Sequence, residues 1–100
     1  MSGPDNISKV ERLRLRDGGR CWLCNEPMQF NAPPNSAKAP TLEHLVAQCH
    51  EGPSTLANLV LCHPRCNRLL ADKPLAQKIK MREKRRRKAW EASLRTTAER

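Results

Sequence analysis

Thr41-Leu-Glu-His-Leu-Val-Ala-Gln48, a polar loop, Ala57-Asn-Leu-Val-Leu61 and Cys62-His-Pro-Arg-Cys-Asn67 form the stretch whose reading decides the fold. Thr41 to Ala47 reads as a short strand. Gln48 to Leu56, with Gly52-Pro53 inside it, reads as a compact loop. Leu59-Val60-Leu61 has strong β character and reads as a second strand. From Asn67 onward, through Leu69, Leu70 and Ala71, the pattern turns helical, and Lys73-Pro74 interrupts it. Neighbouring residues on a strand face opposite ways, so Glu43 and His44 should serve different jobs.

Just upstream lies Cys21-Trp-Leu-Cys24. A C-x-x-C hook offers two zinc ligands from one turn, and a tetrahedral site needs two more. Cys66 supplies one, and either His63 or Cys62 supplies the other. His63 to Cys66 keeps the two-residue gap of a knuckle, which favours Cys21, Cys24, His63 and Cys66 with Cys62 as the alternate. Free buried cysteines are the bland alternative. The count of five cysteines is odd, and in a reducing compartment paired hooks point to metal rather than to disulfides. Cys49 is left over.

Further out, Ser8 followed by Glu11 forms a capping box for a helix from about Lys9 to Arg16, stopped by Asp17-Gly18-Gly19. Arg12, Arg14 and Arg16 on that helix suit either phosphate or solvent. Residues 27–40 hold four prolines and read as a variable loop. After Pro74 a last helix should run to about Leu94. Its apolar positions are sparse, and Lys84-Arg-Arg-Arg-Lys88 covers every side of one turn, so that turn is expected to stay out of the core.

A chain of 100 residues makes one small domain, and with one Phe, two Trp and no Tyr its core is short of large aromatics. A metal staple would offset that shortage. No apolar run nears the roughly 20 residues needed to span a bilayer. The first residues, Met-Ser-Gly-Pro-Asp-Asn, lack the basic start and apolar stretch of a secretory signal, and a cytosolic location is expected. The formal charge is +9, and Lys73 to Arg100 carries eleven Lys and Arg against three Glu. Such a tail suits a polyanion, with nucleic acid the foremost one, and Lys84, Arg85, Arg86, Arg87 and Lys88 are the candidate contacts. A solvated helix face is the alternative.

Together these residues resemble the HNH endonucleases. The likeness covers about residues 20–75: Glu43-His44, Gly52-Pro53, Asn58-Leu59, Val60-Leu61, His63 to Cys66, then Asn67. Asn58 follows His44 by fourteen residues, and Asn67 follows Asn58 by nine, as in the family. The resemblance implies an α+β fold. Its core would be a small ββα-metal unit stapled by zinc, with a short N-terminal helix and a long basic C-terminal helix. Together with the reading of the flanking residues, this divides the chain into an expected disordered N-terminus at 1–7, a nuclease domain at 8–73 and a basic helix at 74–100.

The resemblance also implies roles. His44 matches the general base, Glu43 the acidic metal ligand, Asn67 the metal ligand at the helix start, and Asn58 the residue that ties the loop and orients the base. Mg²⁺ or another divalent cation would serve catalysis, and Zn²⁺ would serve structure. The partner would be DNA, with no membrane involved, and small proteins of this kind resemble phage packaging nucleases from phage-infected or bacterial cells. The chain departs from the family pattern in three places. Glu43 stands for the usual Asp, Glu51 stands for a second Gly, and Leu69 and Leu70 occupy the region where a Lys often follows the terminal Asn. Two other readings compete: a non-catalytic zinc-stapled module that binds nucleic acid, and an interaction domain whose basic helix binds an acidic protein.

Overall fold

The computed structural model describes residues 8–98, with side chains described through residue 95. Segment 1–7, where disorder was expected, lies outside the described residues. Five regular elements follow in order: α1 (Lys9–Asp17), β1 (Thr41–His44), β2 (Leu59–Cys62), α2 (Pro64–Leu70) and α3 (Leu75–Ala98). The mixed α+β class and the strand-strand-helix order match the expectation from sequence.

The capping box starts α1 as anticipated: Ser8 Oγ accepts from the Glu11 amide at 3.2 Å. Gly18, at φ +85°, ends the helix in a backbone region that other residues rarely adopt. Arg16 does not face solvent alone. Its guanidinium pairs with Asp17 at 2.6 Å and donates to the carbonyls of Leu56 and Leu59 at 2.8 and 2.9 Å, which ties α1 to the start of β2. Arg14 lies over the Phe30 ring at 4.4 Å.

β1 and β2 pair antiparallel, with Thr41 opposite Cys62 and His44 opposite Leu59. β1 ends at His44 rather than Ala47, because the chain turns there into the loop that Asn58 organises. All four residues of β2 are buried, because α1 lies against this strand and α2 packs on both strands. α2 begins earlier than expected, with Pro64 in its first turn. That start brings Cys66 into the helix and buries it beside Leu70.

The core consists of Leu13, Leu23, Leu59, Leu61 and Leu70, with Cys21, Cys62 and Cys66 among them. α3 docks in a different way. Its inward positions Lys78, Arg82 and Arg86 recur every fourth residue, and each side chain donates to a backbone carbonyl of the core.

Candidate nuclease site and zinc knuckle

The first hook is a small hairpin. Arg20 and Pro27 form an isolated bridge, Met28 N–H donates to Gly19 O at 2.9 Å, and Cys21 N–H donates to Glu26 O at 2.9 Å. Asn25 closes the turn in the left-handed region at φ 65°, where Asn is tolerated better than most residues. The second hook joins β2 to α2. The ligand atoms of Cys21, Cys24, His63 and Cys66 all lie within 4.8 Å of one another. This is the set favoured by spacing, and it leaves Cys62 outside.

His63 shows why. Its Nε2 lies 3.1 Å from Pro27 O, so that nitrogen carries the proton and donates to the carbonyl. Nδ1 is left bare, 3.4 Å from Cys24 Sγ. A bound carbonyl behind a ligating imidazole is the usual arrangement at metal centres, because it fixes the tautomer and aims the other nitrogen. Cys62 faces the core instead. Its thiol donates to Cys21, which holds Cys21 down at about 3, and Cys62 itself is pushed up by that bond and by burial. Burial and the neighbouring Cys21 and Cys24 push Cys66 up to about 12. Three sulfurs and one imidazole nitrogen converging in a buried spot suit Zn²⁺, and the set fits that ion.

About the HNH positions, the best-organised residue is Asn58. It is buried, and its side chain replaces the backbone partners that the loop lacks. Oδ1 accepts from Val46 N–H at 2.9 Å, and Nδ2 donates to Val46 O at 3.0 Å and to Pro53 O at 2.8 Å. Gly52 sits hard against the same turn, where a Cβ would fall 1.7 Å from Val46 O. Glu51 adopts φ 65°, ψ 26°, the left-handed conformation that explains why a Gly suits this position in the family pattern.

His44 ends β1, half-buried, with Nε2 3.0 Å from Ser54 Oγ. Ser54 belongs to the loop that Asn58 pins, so the imidazole is oriented from across that loop. Glu43 faces the other way, as strand alternation requires, and is only 4% exposed. Its Oε2 meets Lys78 Nζ of α3 at 2.8 Å, and Lys78 is 0% exposed. The same ammonium donates to His44 O at 2.7 Å. Burial pushes the Glu43 carboxyl up, and the Lys78 charge opposes that shift. Asn67 uses its amide NH₂ on Thr41 Oγ1 at 3.2 Å and on Leu42 O at 2.9 Å, so only Oδ1 remains as a donor atom for a metal.

Glu43 and Asn67 Oδ1 could hold a divalent cation together only if Lys78 gave up the carboxylate it now faces. Sequence reasoning missed Lys78 altogether. The available signal was the four-residue recurrence of Lys78, Arg82 and Arg86, which was read as part of a basic surface suited to a polyanion.

In the candidate nucleic-acid turn, Lys84, Arg85, Arg87 and Lys88 are exposed. Arg86 differs from the expectation that this whole turn stays out of the core. It is half-buried and donates to Trp22 O at 3.2 Å, beside Arg82, which donates to the same carbonyl at 2.9 Å and lies over the Trp22 ring at 4.9 Å. No helix among the described residues is long and apolar enough to cross a membrane.

The family model for HNH endonuclease matches residues 21–73, more than half of the chain. That span begins at the first knuckle cysteine and ends just before α3. No curated protein and no solved structure matches the chain. With the matched span, the two strands, α2 and the knuckle in one continuous segment, this chain belongs to the HNH endonuclease family.

Proposed function

We propose that this protein is a DNA endonuclease or nickase that hydrolyses phosphodiester bonds with His44 as general base. The observation that carries this reading is the placement of His44. The imidazole stands at the end of β1, half-buried, braced by Ser54 on a loop that Asn58 holds through three hydrogen bonds. A neutral imidazole near pH 7 can take a proton from an attacking water. The water oxygen bonds to phosphorus as its proton passes to His44, the P–O3′ bond breaks, and the departing O3′ takes a proton from solvent, leaving a 5′ phosphate and a 3′ hydroxyl. Asn58 acts as a positioning residue for this base.

Zn²⁺ in the Cys21, Cys24, His63, Cys66 knuckle would hold the hairpin to α2 and take no part in hydrolysis. In this reading Glu43 and Asn67 are the family's ligands for Mg²⁺ or another divalent cation, although Glu43 is engaged with Lys78 in the arrangement described above. The exposed cations Lys84, Arg85, Arg87 and Lys88 supply sequence-independent affinity for the DNA backbone.

The buried Glu43–Lys78 pair favours a second reading, a zinc-stapled module that binds nucleic acid without cutting it. Supercoiled plasmid incubated with the purified protein and Mg²⁺, Mn²⁺ or Ni²⁺, beside His44→Ala, separates the two. Nicking by the wild type that His44→Ala lacks supports the nuclease. Equal nicking by both, or none by either with DNA binding retained, hands the function to the binding module.

A further inference from the structure

We propose that Lys78 is a built-in competitor for the catalytic cation: α3 inserts its ammonium onto Glu43, and a divalent metal reaches that carboxylate only when Lys78 withdraws. This deepens the nuclease reading and rests on Glu43 being the acid that takes the metal.

Lys78 is fully buried, and its charged end meets Glu43 Oε2 at 2.8 Å and His44 O at 2.7 Å. It therefore contacts the carboxylate of one site residue and the backbone of the next. A metal bound to the same carboxylate would stand at about 2.0–2.6 Å from its oxygen. Two cations sharing one small buried carboxylate repel each other where little water screens them. Occupancy by Lys78 thus competes with occupancy by a divalent metal.

The way α3 is held makes withdrawal feasible. Its inward face presents Lys78, Arg82 and Arg86 rather than an apolar stripe. Ile79, Trp90 and Leu94 on the same helix are 41%, 63% and 48% exposed, so little apolar burial fastens it. Among the partly buried hydrophobics packed on the core, Met81 is its one contribution. Arg82 and Arg86 both end on Trp22 O, and Arg86 Nε is buried with no partner. A helix docked by charge on carbonyls exchanges those contacts for water at lower cost than a helix docked by a core stripe. Its exposed face carries Lys84, Arg85, Arg87 and Lys88 on the same rigid element, so a polyanion engaging that face acts on the helix that holds Lys78.

The test measures metal binding and helix opening on the full zinc-loaded chain, and nicking is not its readout. Mn²⁺ affinity is read by paramagnetic resonance of the free ion for wild type, Lys78→Gln and the double variant Glu43→Gln/Lys78→Gln. Lys78→Gln keeps an amide that can donate to His44 O and removes the charge. It should bind Mn²⁺ at least about tenfold more tightly than wild type, since the competing state is gone. The double variant should lose that gain. In unmodified protein, hydrogen exchange in residues 75–82 should speed up when Mn²⁺ saturates the site. Equal affinity in wild type and Lys78→Gln overturns the proposal, and so does Mn²⁺ binding that leaves exchange in 75–82 unchanged. If Lys78→Gln does not fold, the exchange measurement on wild type decides alone. Loss of nicking with the expected Mn²⁺ behaviour would count against the nuclease reading and leave this one standing.

Discussion

The knuckle and the Glu43–Lys78 pair are both buried groupings of ionisable side chains in one small core, yet the chain finishes them differently. At the knuckle, the ligand atoms of three thiols and one imidazole converge within 4.8 Å of one another, beside a pocket that Lys38, Arg65 and Arg85 also line. At Glu43, the protein supplies the cation itself. A cluster of like-minded donors has no internal way to neutralise its thiolates, so its stability depends on an ion from outside. A carboxylate with a buried lysine is complete without one, and any external metal must compete. The knuckle thus suits an ion from outside, whereas a divalent metal at Glu43 would have to compete with Lys78.

The largest expected effect breaks the knuckle side. Cys21→Ser and Cys66→Ser each remove a ligand from the core, where Cys21 is 0% and Cys66 5% exposed. Zinc in such sites contributes on the order of 10 kcal/mol to folding, comparable to the total stability of a small domain. Both variants should be largely unfolded by circular dichroism, and elemental analysis of wild type should find about one zinc per chain. Cys62→Ser should keep its zinc, since Cys62 lies outside the ligand set. Well-folded wild type without zinc would end the argument.

The next effect addresses the proposed base. His44→Ala removes a half-buried side chain whose one described side-chain partner is Ser54, so the fold and zinc content should stay as they are. Nicking should fall by about 10²–10⁴-fold, the usual contribution of a general base. DNA affinity should change little, because the base acts on the transition state rather than on binding. A parallel loss of affinity would assign His44 to binding instead.

Asn58→Ala comes third, and it should act on stability as well as on rate. Truncation strands Val46 N–H, Val46 O and Pro53 O in a buried turn. Unsatisfied buried groups cost about 1–3 kcal/mol each, and partial entry of water holds the total to roughly 2–4 kcal/mol. Thermal unfolding should show a lowered midpoint with zinc retained. A variant with wild-type stability and reduced nicking would mean that Asn58 touches the reaction directly.

The contrast between the two sites also explains what could be read from the sequence. The knuckle was legible because its geometry is local. C-x-x-C makes one hook, and the His63 to Cys66 gap makes the other, so spacing alone ranked His63 above Cys62. The strands were legible for the same reason, with the end of β1 misjudged because Leu45 to Ala47 still look like strand, whereas the tie that Asn58 makes in the loop came only from the family resemblance. The opposite facings of Glu43 and His44 followed from strand alternation. The partner of Glu43 was not legible. Lys78 lies 35 residues away on a helix whose apolar positions gave no inward face, and its charge was absorbed into a basic tail. Arg86 was misjudged likewise, because a run of five cations hides which one turns inward.

A smaller effect separates the inward cations of α3 from the outward ones. Lys84→Gln and Arg87→Gln change exposed residues and should leave stability unchanged. Each should lower the slope of log affinity against log salt by about 0.9 per lost phosphate contact. Arg86→Gln should instead lower the unfolding midpoint, since it removes a contact to Trp22 O. If all three behave alike in salt titration, the distinction between docking and binding faces of α3 fails.

The smallest effect is expected at Glu51, in the loop between the two sites. Glu51 is held at φ 65°, ψ 26°, where a side chain is strained and glycine is not. Its neighbour Gly52 shows the opposite constraint, because a Cβ there would strike Val46 O at 1.7 Å. Glu51→Gly relieves the strain but loosens the unfolded chain, and these two terms act against each other. The net gain should stay below about 1 kcal/mol, seen as a rise of a few degrees in the unfolding midpoint. Gly52→Ala should destabilise by several times that amount, because backbone rather than a flexible side chain would have to move. Glu51 sits in the turn that Asn58 and Gly52 close, so tightening the turn should also steady Ser54 and, through it, His44. A Glu51→Gly variant that is more stable should therefore nick at least as well as wild type. A gain in stability with a loss of nicking would mean that motion of this loop is part of the reaction.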